Sequence, residues 1–185
     1  MTARKPLLEA LVSMLAPDDV VVSCLGANSR YLPYLEVPVP VFALCDSMGA
    51  AIPLALGMAL QRPDRHVVAL EGDGSLLMCP NVLATVAACR PPNLTALLWV
   101  NGHYESSGGQ SLPAAPLDWP AVGRGLGIAH VARVGDVAGL RAAFPKARAA
   151  RKPALLVLDV AFDPAEPIPP YSERPDQIRA RFQIA

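Results

Sequence analysis

Two hydrophobic patterns take turns along the chain. Short apolar runs, β-branched in Val20-Val21-Val22, are separated by stretches with apolar side chains at helical spacing. Residues 6–15 read as a helix that ends before Ala16-Pro17, and 20–24 as a strand. A polar loop with a turn of helix covers 26–35, and 39–44 is the second strand. Ser47 is expected to cap a long small-residue helix reaching Gln61, its hydroxyl accepting from a free N–H. Arg62-Pro63-Asp64 breaks that helix, and 66–70 is a third strand running into Gly72-Asp73-Gly74-Ser75. A helix over 81–89 stops at Pro91-Pro92. Strand 94–100, a Gly/Ser-rich loop over 101–112, helix 119–126, strand 130–134, helix 137–149 and strand 155–160 complete the pattern.

Strands alternating with helices in this way predict a three-layer α/β/α fold around a six-stranded, mainly parallel sheet. Residues 162–185 are rich in Pro and charge and carry no strong period. They read as an extended arm, free or lying on another subunit. The expected organisation is one domain over 1–160 and a C-terminal arm over 161–185.

Composition narrows the picture. Hydrophobic residues make up 52 % of the 185, which favours a sheet buried on both faces. Formal net charge is zero and no basic run stands out, which argues against nucleic acid as a partner. The start of the chain, MTARKPLLEA, has no apolar core of a signal sequence, and the uncharged stretch 47–60 is too short to span a bilayer. A cytoplasmic protein with no membrane association is expected. Cys24, Cys45, Cys79 and Cys89 form no CxxC pair and read as reduced, buried small hydrophobes.

Candidate chemistry sits where parallel strands end, because ligands of such sheets bind at the carboxyl ends. The loop after the third strand is Glu71-Gly72-Asp73-Gly74-Ser75. Glycines let a backbone approach a phosphate, Ser75 can donate a hydrogen bond, and Asp73 is a hard oxygen ligand suited to Mg²⁺. The loop after the fourth strand is Asn101-Gly102-His103-Tyr104, where the Asn101 side chain and the His103 carbonyl offer neutral oxygens. Gly-Asp-Gly alone is equally a tight turn, and Asn-Gly alone is a turn more often than a ligand. The pair says more, because the loops end consecutive strands and Asp73 and Asn101 can converge.

Gly-Asp-Gly-Ser, then one helix and strand, then an Asn-bearing loop resembles the signature of thiamine-diphosphate (ThDP) enzymes. The stretch DSMGAAIPLALGMALQRPDRHVVALEGDGSLLMCPNVLATVAACRPPNLTALLWVNGHYESSGGQ is similar to the sulfopyruvate decarboxylase β subunits and to the C-terminal domains of phosphonopyruvate decarboxylases. The similarity runs from about residue 25 to 127. It implies a ThDP-binding fold in which Asp73, Asn101 and the His103 carbonyl hold Mg²⁺. Gly72, Gly74, Ser75 and the loop amides would hold the diphosphate, with Tyr104 packed at that end. Asp46, Ser47 and Met48 would also contact the cofactor: Met48 would bend it into a V, and the Asp46 carbonyl would accept from its amino group. The sequence departs from the family at Val100, where Asp or Asn is usual, at Asp46 for Gly, and at Cys79-Pro80-Asn81 for Asn-Leu-Gly.

The resemblance also implies a partner. The carboxylate that pairs with the cofactor's pyrimidine is a Glu on a different domain in this superfamily, and no Glu here has that context. No residue of this chain is therefore assigned as catalytic, with His103 and Glu105 kept as candidates; Glu105 reads better as a loop anchor. The expectation is an α subunit of similar size and a hetero-oligomer of at least two αβ pairs. The substrate would be a 2-oxo acid with a second polar or acidic group, decarboxylated to an aldehyde and CO₂. The alternatives are a carboligase using the same clamp, as in acetolactate synthases, and a non-catalytic ThDP-fold protein.

Overall fold

The computed structural model describes residues 1–113 and 116–183. Helix α1 (Arg4–Val12) leads into β1 (Asp19–Ser23), the short α2 (Ala27–Tyr31), β2 (Val41–Ala43) and α3 (Ala51–Gln61). Strand β3 (His66–Gly72) is followed by a single turn, α4 (Asp73–Leu76), then α5 (Val82–Cys89) and β4 (Leu94–Val100). A two-stranded hairpin, β5 (His103–Tyr104) and β6 (Gln110–Ser111), precedes α6 (Trp119–Gly125), β7 (His130–Val134), α7 (Val137–Ala149) and β8 (Ala154–Asp159). Helix α8 (Pro175–Gln183) ends the described chain.

The main sheet has six strands in the order β2-β1-β3-β4-β8-β7, every pair parallel. Its strands are apolar in near-continuous runs because both faces are covered. Val68, Leu70, Leu97, Trp99, Leu156 and Leu158 face the layer of α1, α2 and α7. Their neighbours Val67, Ala69, Ala96, Leu98, Leu155 and Val157 face α3, α5 and α6. The six-stranded three-layer fold matches the one predicted. Two helix starts are built as capping chemistry dictates: Asp118 accepts from Ala121 N at 3.0 Å, and Asp136 from Gly139 N at 2.7 Å.

The order reverses between β1 and β3. The chain leaves β1 for the β2 edge, returns across β1 to β3, and then proceeds outward to β4. Loops at that reversal diverge and leave a crevice at the carboxyl ends of the strands.

Three expectations are corrected. Ser47 does not cap α3: the helix begins at Ala51, its first residues receive no side-chain cap from the preceding segment, and Ser47 is exposed. Gly49 has φ +75°, which takes the backbone off a helical path before α3 can start. The C-terminal segment is extended only in part, since Pro175–Gln183 forms α8, and it lies on its own chain. Arg30 donates to the carbonyls of Ile168 and Pro169, Tyr34 Oη to that of Pro170 at 3.3 Å, and Arg181 to that of Val41 at 3.4 Å. Finally, Cys24 is buried but Cys45 and Cys89 are exposed; all four thiols are free.

Candidate active site

A cavity of about 270 Å³ opens at the carboxyl ends of the strands. Each of the four strands nearest the reversal contributes a wall: Leu25 and Asn28 after β1, Asp46 and Met48 after β2, Gly72 to Ser75 after β3, and Asn101 with His103 to Ser107 after β4. The two loops singled out by sequence therefore meet in one space.

They are also bonded to each other. Asp73 is 2 % exposed, and its Oδ1 accepts from Gly74 N at 2.9 Å while Oδ2 accepts from Gly102 N at 2.8 Å. Gly102 has φ +75°, a left-handed turn that aims its N–H at the carboxylate and that a side chain would strain. Burial raises the Asp73 pKa, and the surrounding backbone N–H groups pull it back. No Lys or Arg pairs with it among the described residues. A buried carboxylate without a counter-charge suits a cation.

Asn101 Oδ1 accepts from His103 N at 2.9 Å, and its Nδ2 lies 3.3 Å from Glu105 Oε2. The carbonyl oxygen keeps a second lone pair for a ligand. Among the described residues, no three His, Cys, Asp or Glu side chains converge as a ready-made cage. A cation here would take one carboxylate, amide and backbone carbonyls, and the oxygens of a bound phosphate, which is how Mg²⁺ is commonly held.

Tyr104 packs against the glycine loop. A Cβ on Gly74 would sit 2.7 Å from Tyr104 Cδ1, so the close approach requires glycine at that position. Ser75 lines the cavity, but its Oγ accepts from Gly49 N at 2.8 Å and ties the Gly72–Ser75 loop to the Asp46–Gly49 loop. His103 Nδ1 is 2.8 Å from Asn101 O, and its ring stacks on Phe162 at 3.9 Å between centroids. Asp46 and Met48 are exposed at the rim, Met48 by 38 %. Ser47 stands between them and does not line the cavity. Glu105 accepts from Arg4 Nη2 at 2.6 Å, which anchors its loop.

Sequence reading missed three contributors. Glu71 is fully buried and receives Ala51 N at 3.1 Å and Ile52 N at 3.4 Å on Oε2, so it performs the capping expected of Ser47. Burial raises its pKa, offset by Ser75 and by the N–H groups of Ile52, Ala51 and Gly72. Asn28, 5 % exposed, lines the cavity with Oδ1 unpaired. Arg4, 3 % exposed, comes from the first turn of α1. Asn28 had a signal of sorts, a polar residue just after a strand; Arg4 had none, because its partners are remote in sequence.

A crevice at the reversal of a parallel sheet, lined by a glycine loop and a buried carboxylate without a counter-charge, is where an α/β domain of this class receives its ligand. The chain belongs to the thiamine pyrophosphate enzymes: residues 27–158 match the family's C-terminal TPP-binding domain. It is 36 % identical to phosphonopyruvate decarboxylase of Streptomyces hygroscopicus over 97 % of this chain and 45 % of that protein. It is 37 % identical to the sulfopyruvate decarboxylase subunit beta of Methanothermobacter thermautotrophicus over 74 % of this chain and 72 % of that subunit. The chain thus spans less than half the length of the phosphonopyruvate decarboxylases it matches. The 2-oxoglutarate:ferredoxin oxidoreductase from Magnetococcus marinus has the same fold, with a TM-score of 0.74 at 20 % identity over 95 % of this chain and 66 % of that one. Among the described residues no helix is long and apolar enough to cross a membrane.

Proposed function

We propose that this chain is the ThDP- and Mg²⁺-clamping part of a decarboxylase acting on a 2-oxo acid with a second acidic or polar group, of the sulfopyruvate or phosphonopyruvate type. The observation that carries the reading is the meeting of Asp73 and Asn101 in one cavity, joined through Gly102 N. The identities to decarboxylases of those substrates support the reaction class.

In this reading Asp73, Asn101 and the His103 carbonyl hold Mg²⁺. The amides of the Gly72–Ser75 loop, with Asn28, hold the diphosphate. Met48 would pack against the bound cofactor, and the Asp46 carbonyl would accept a hydrogen bond from its amino group. Bound ThDP supplies the carbanion-stabilising chemistry of decarboxylation, and the protein supplies orientation and the exclusion of water. The substrate loses its carboxylate as CO₂ and gains a proton at the former keto carbon, which leaves an aldehyde.

The glutamates closest to the cavity are already engaged, Glu71 by α3 and Glu105 by Arg4. This supports a pyrimidine-facing carboxylate supplied by an α partner of similar size, in a hetero-oligomer of at least two αβ pairs. The apolar surface of α3 and the exposed Met78 suit such a contact.

Trp99 lines the cavity, so its fluorescence reports occupancy. ThDP with Mg²⁺ is expected to change that signal in the chain purified with its partner, and the pair to release CO₂ from sulfopyruvate or phosphonopyruvate. A chain that binds no ThDP with the partner present would sink the proposal. A carboligase would use the same clamp, and product analysis with and without an acceptor aldehyde separates the two.

A further inference from the structure

One wall of the cavity carries a charge chain outside the ThDP motif. Arg4, on the first turn of α1, is buried and reaches two carboxylates: Glu105 Oε2 at 2.6 Å through Nη2, and Glu166 Oε2 at 2.9 Å through Nη1. Glu166 Oε1 in turn accepts from Tyr31 Oη at 2.9 Å. Four segments remote in sequence are joined: the start of α1, the end of α2, the loop after β4, and the C-terminal segment beyond β8.

Such a cluster needs a reason. Buried ion pairs seldom add stability over well-packed apolar residues, because desolvation offsets the attraction. Its inner end touches Asn101, whose Nδ2 lies 3.3 Å from Glu105 Oε2. A carboxamide has two unlike ends, and only its oxygen can ligate a cation. With a carboxylate facing Nδ2, a turned amide would set oxygen against oxygen at Glu105. On its other side it would set NH₂ against the His103 N–H, which now donates to Oδ1 at 2.9 Å.

The geometry points to Glu105 as a positioning residue, clamped by Arg4 and Glu166, that fixes the Asn101 carboxamide with its oxygen toward the cation site. This rests on the proposed role of Asn101 in holding Mg²⁺. It gives the C-terminal segment a part in the site, since Glu166 holds the outer nitrogen of Arg4.

The test uses the full chain in the complex in which it purifies, with Mn²⁺ as the probe cation. Mn²⁺ titrations followed by electron paramagnetic resonance in the presence of ThDP give metal affinity. Trp99 fluorescence at saturating Mn²⁺ gives ThDP affinity, and thermal melting without ligand reports the fold. Glu105→Ala is expected to weaken Mn²⁺ by roughly 10- to 100-fold, as loss of an orienting partner does. ThDP affinity at saturating Mn²⁺ should return close to wild type. Glu166→Gln, one step further out, should show the same split at smaller size.

Wild-type Mn²⁺ affinity in Glu105→Ala overturns the inference and leaves the ThDP reading standing. So does a ThDP affinity that stays weak at saturating metal, since that reports a distorted loop. If Glu105→Ala melts before it can be titrated, Glu105→Met, similar in length but with no oxygen to accept from Asn101 Nδ2, decides: a several-fold loss of Mn²⁺ affinity supports the inference, and no loss overturns it. A wild-type complex that binds neither Mn²⁺ nor ThDP defeats the ThDP reading itself, and the inference with it.

Discussion

The two ends of the sheet treat buried polar groups differently. At the amino ends, Asn93 donates to the carbonyls of Ala59, Arg62 and Arg65 at 2.8 to 3.1 Å. Asp19 accepts from Ala16 N and pairs with Arg148, and His66 Nε2 lies 3.1 Å from Thr95 Oγ1. At the carboxyl ends, Asn28 Oδ1, Glu71 Oε1, Trp99 Nε1 and Glu105 Oε1 are buried without a partner; among the described residues, Asn93 Oδ1 is the counterpart at the other end. Folding alone favours satisfied groups, so orphans gathered at one end mark where the fold is organised for something besides itself. The amino ends close the structure, and the carboxyl ends leave capacity for a ligand.

That contrast can be broken by substitution. The largest effect belongs at the ligand end. Asp73→Asn removes the uncompensated carboxylate and is expected to weaken Mg²⁺-dependent ThDP binding by about 100-fold or more, because a hard divalent cation loses its anionic ligand. Calorimetric titration against wild type reads it, with circular dichroism confirming the fold. An unchanged affinity would separate Asp73 from the cation site.

At the closed end the effects are on stability. Burial, followed by the Arg148 charge, pushes the His66 imidazole down to about 4. The unfolded chain, with a His pKa near 6.5, therefore binds the extra proton first as pH falls. Stability is present above the unfolded value and is lost between there and the folded one, about 3 kcal/mol in total. Denaturant unfolding of wild type and His66→Gln at pH 7 and pH 4 measures the difference, and equal acid losses in both would remove His66 from the account.

The smallest expected effect is that of Asn93→Ala, which strips the side-chain donor from carbonyls of Ala59, Arg62 and Arg65. A cost of about 2 kcal/mol is expected, with ThDP affinity unchanged. If binding fell in parallel with stability, the two ends would not be independent.

How much of this was legible in the chain depends on the distance over which each signal acts. The apolar runs of β1, β3, β4 and β8 are local, and so is the Gly-Asp-Gly-Ser turn; both could be read directly. Helix starts were harder. Ser47 offers the right side chain for a cap, but the positive φ at Gly49 moves the start of α3 onward, and the donors at Ala51 and Ile52 are met by Glu71 from β3. The C-terminal segment reads as an extended arm because its Pro and charge lack a period, whereas its contacts are to Arg30, Tyr31 and Arg4, far away in sequence.

By itself the sequence determined the order of the six sheet strands and of the helices between them, and the residue types of the two loops. Both depend on residue type and spacing along a few turns of chain. Only the tertiary structure decided that Asp73 and Asn101 share one cavity, that Glu71 caps α3, and that Arg4 joins Glu105 to Glu166. Pairings of that kind depend on which strands lie side by side, and burial makes them count by leaving a polar group no water to turn to.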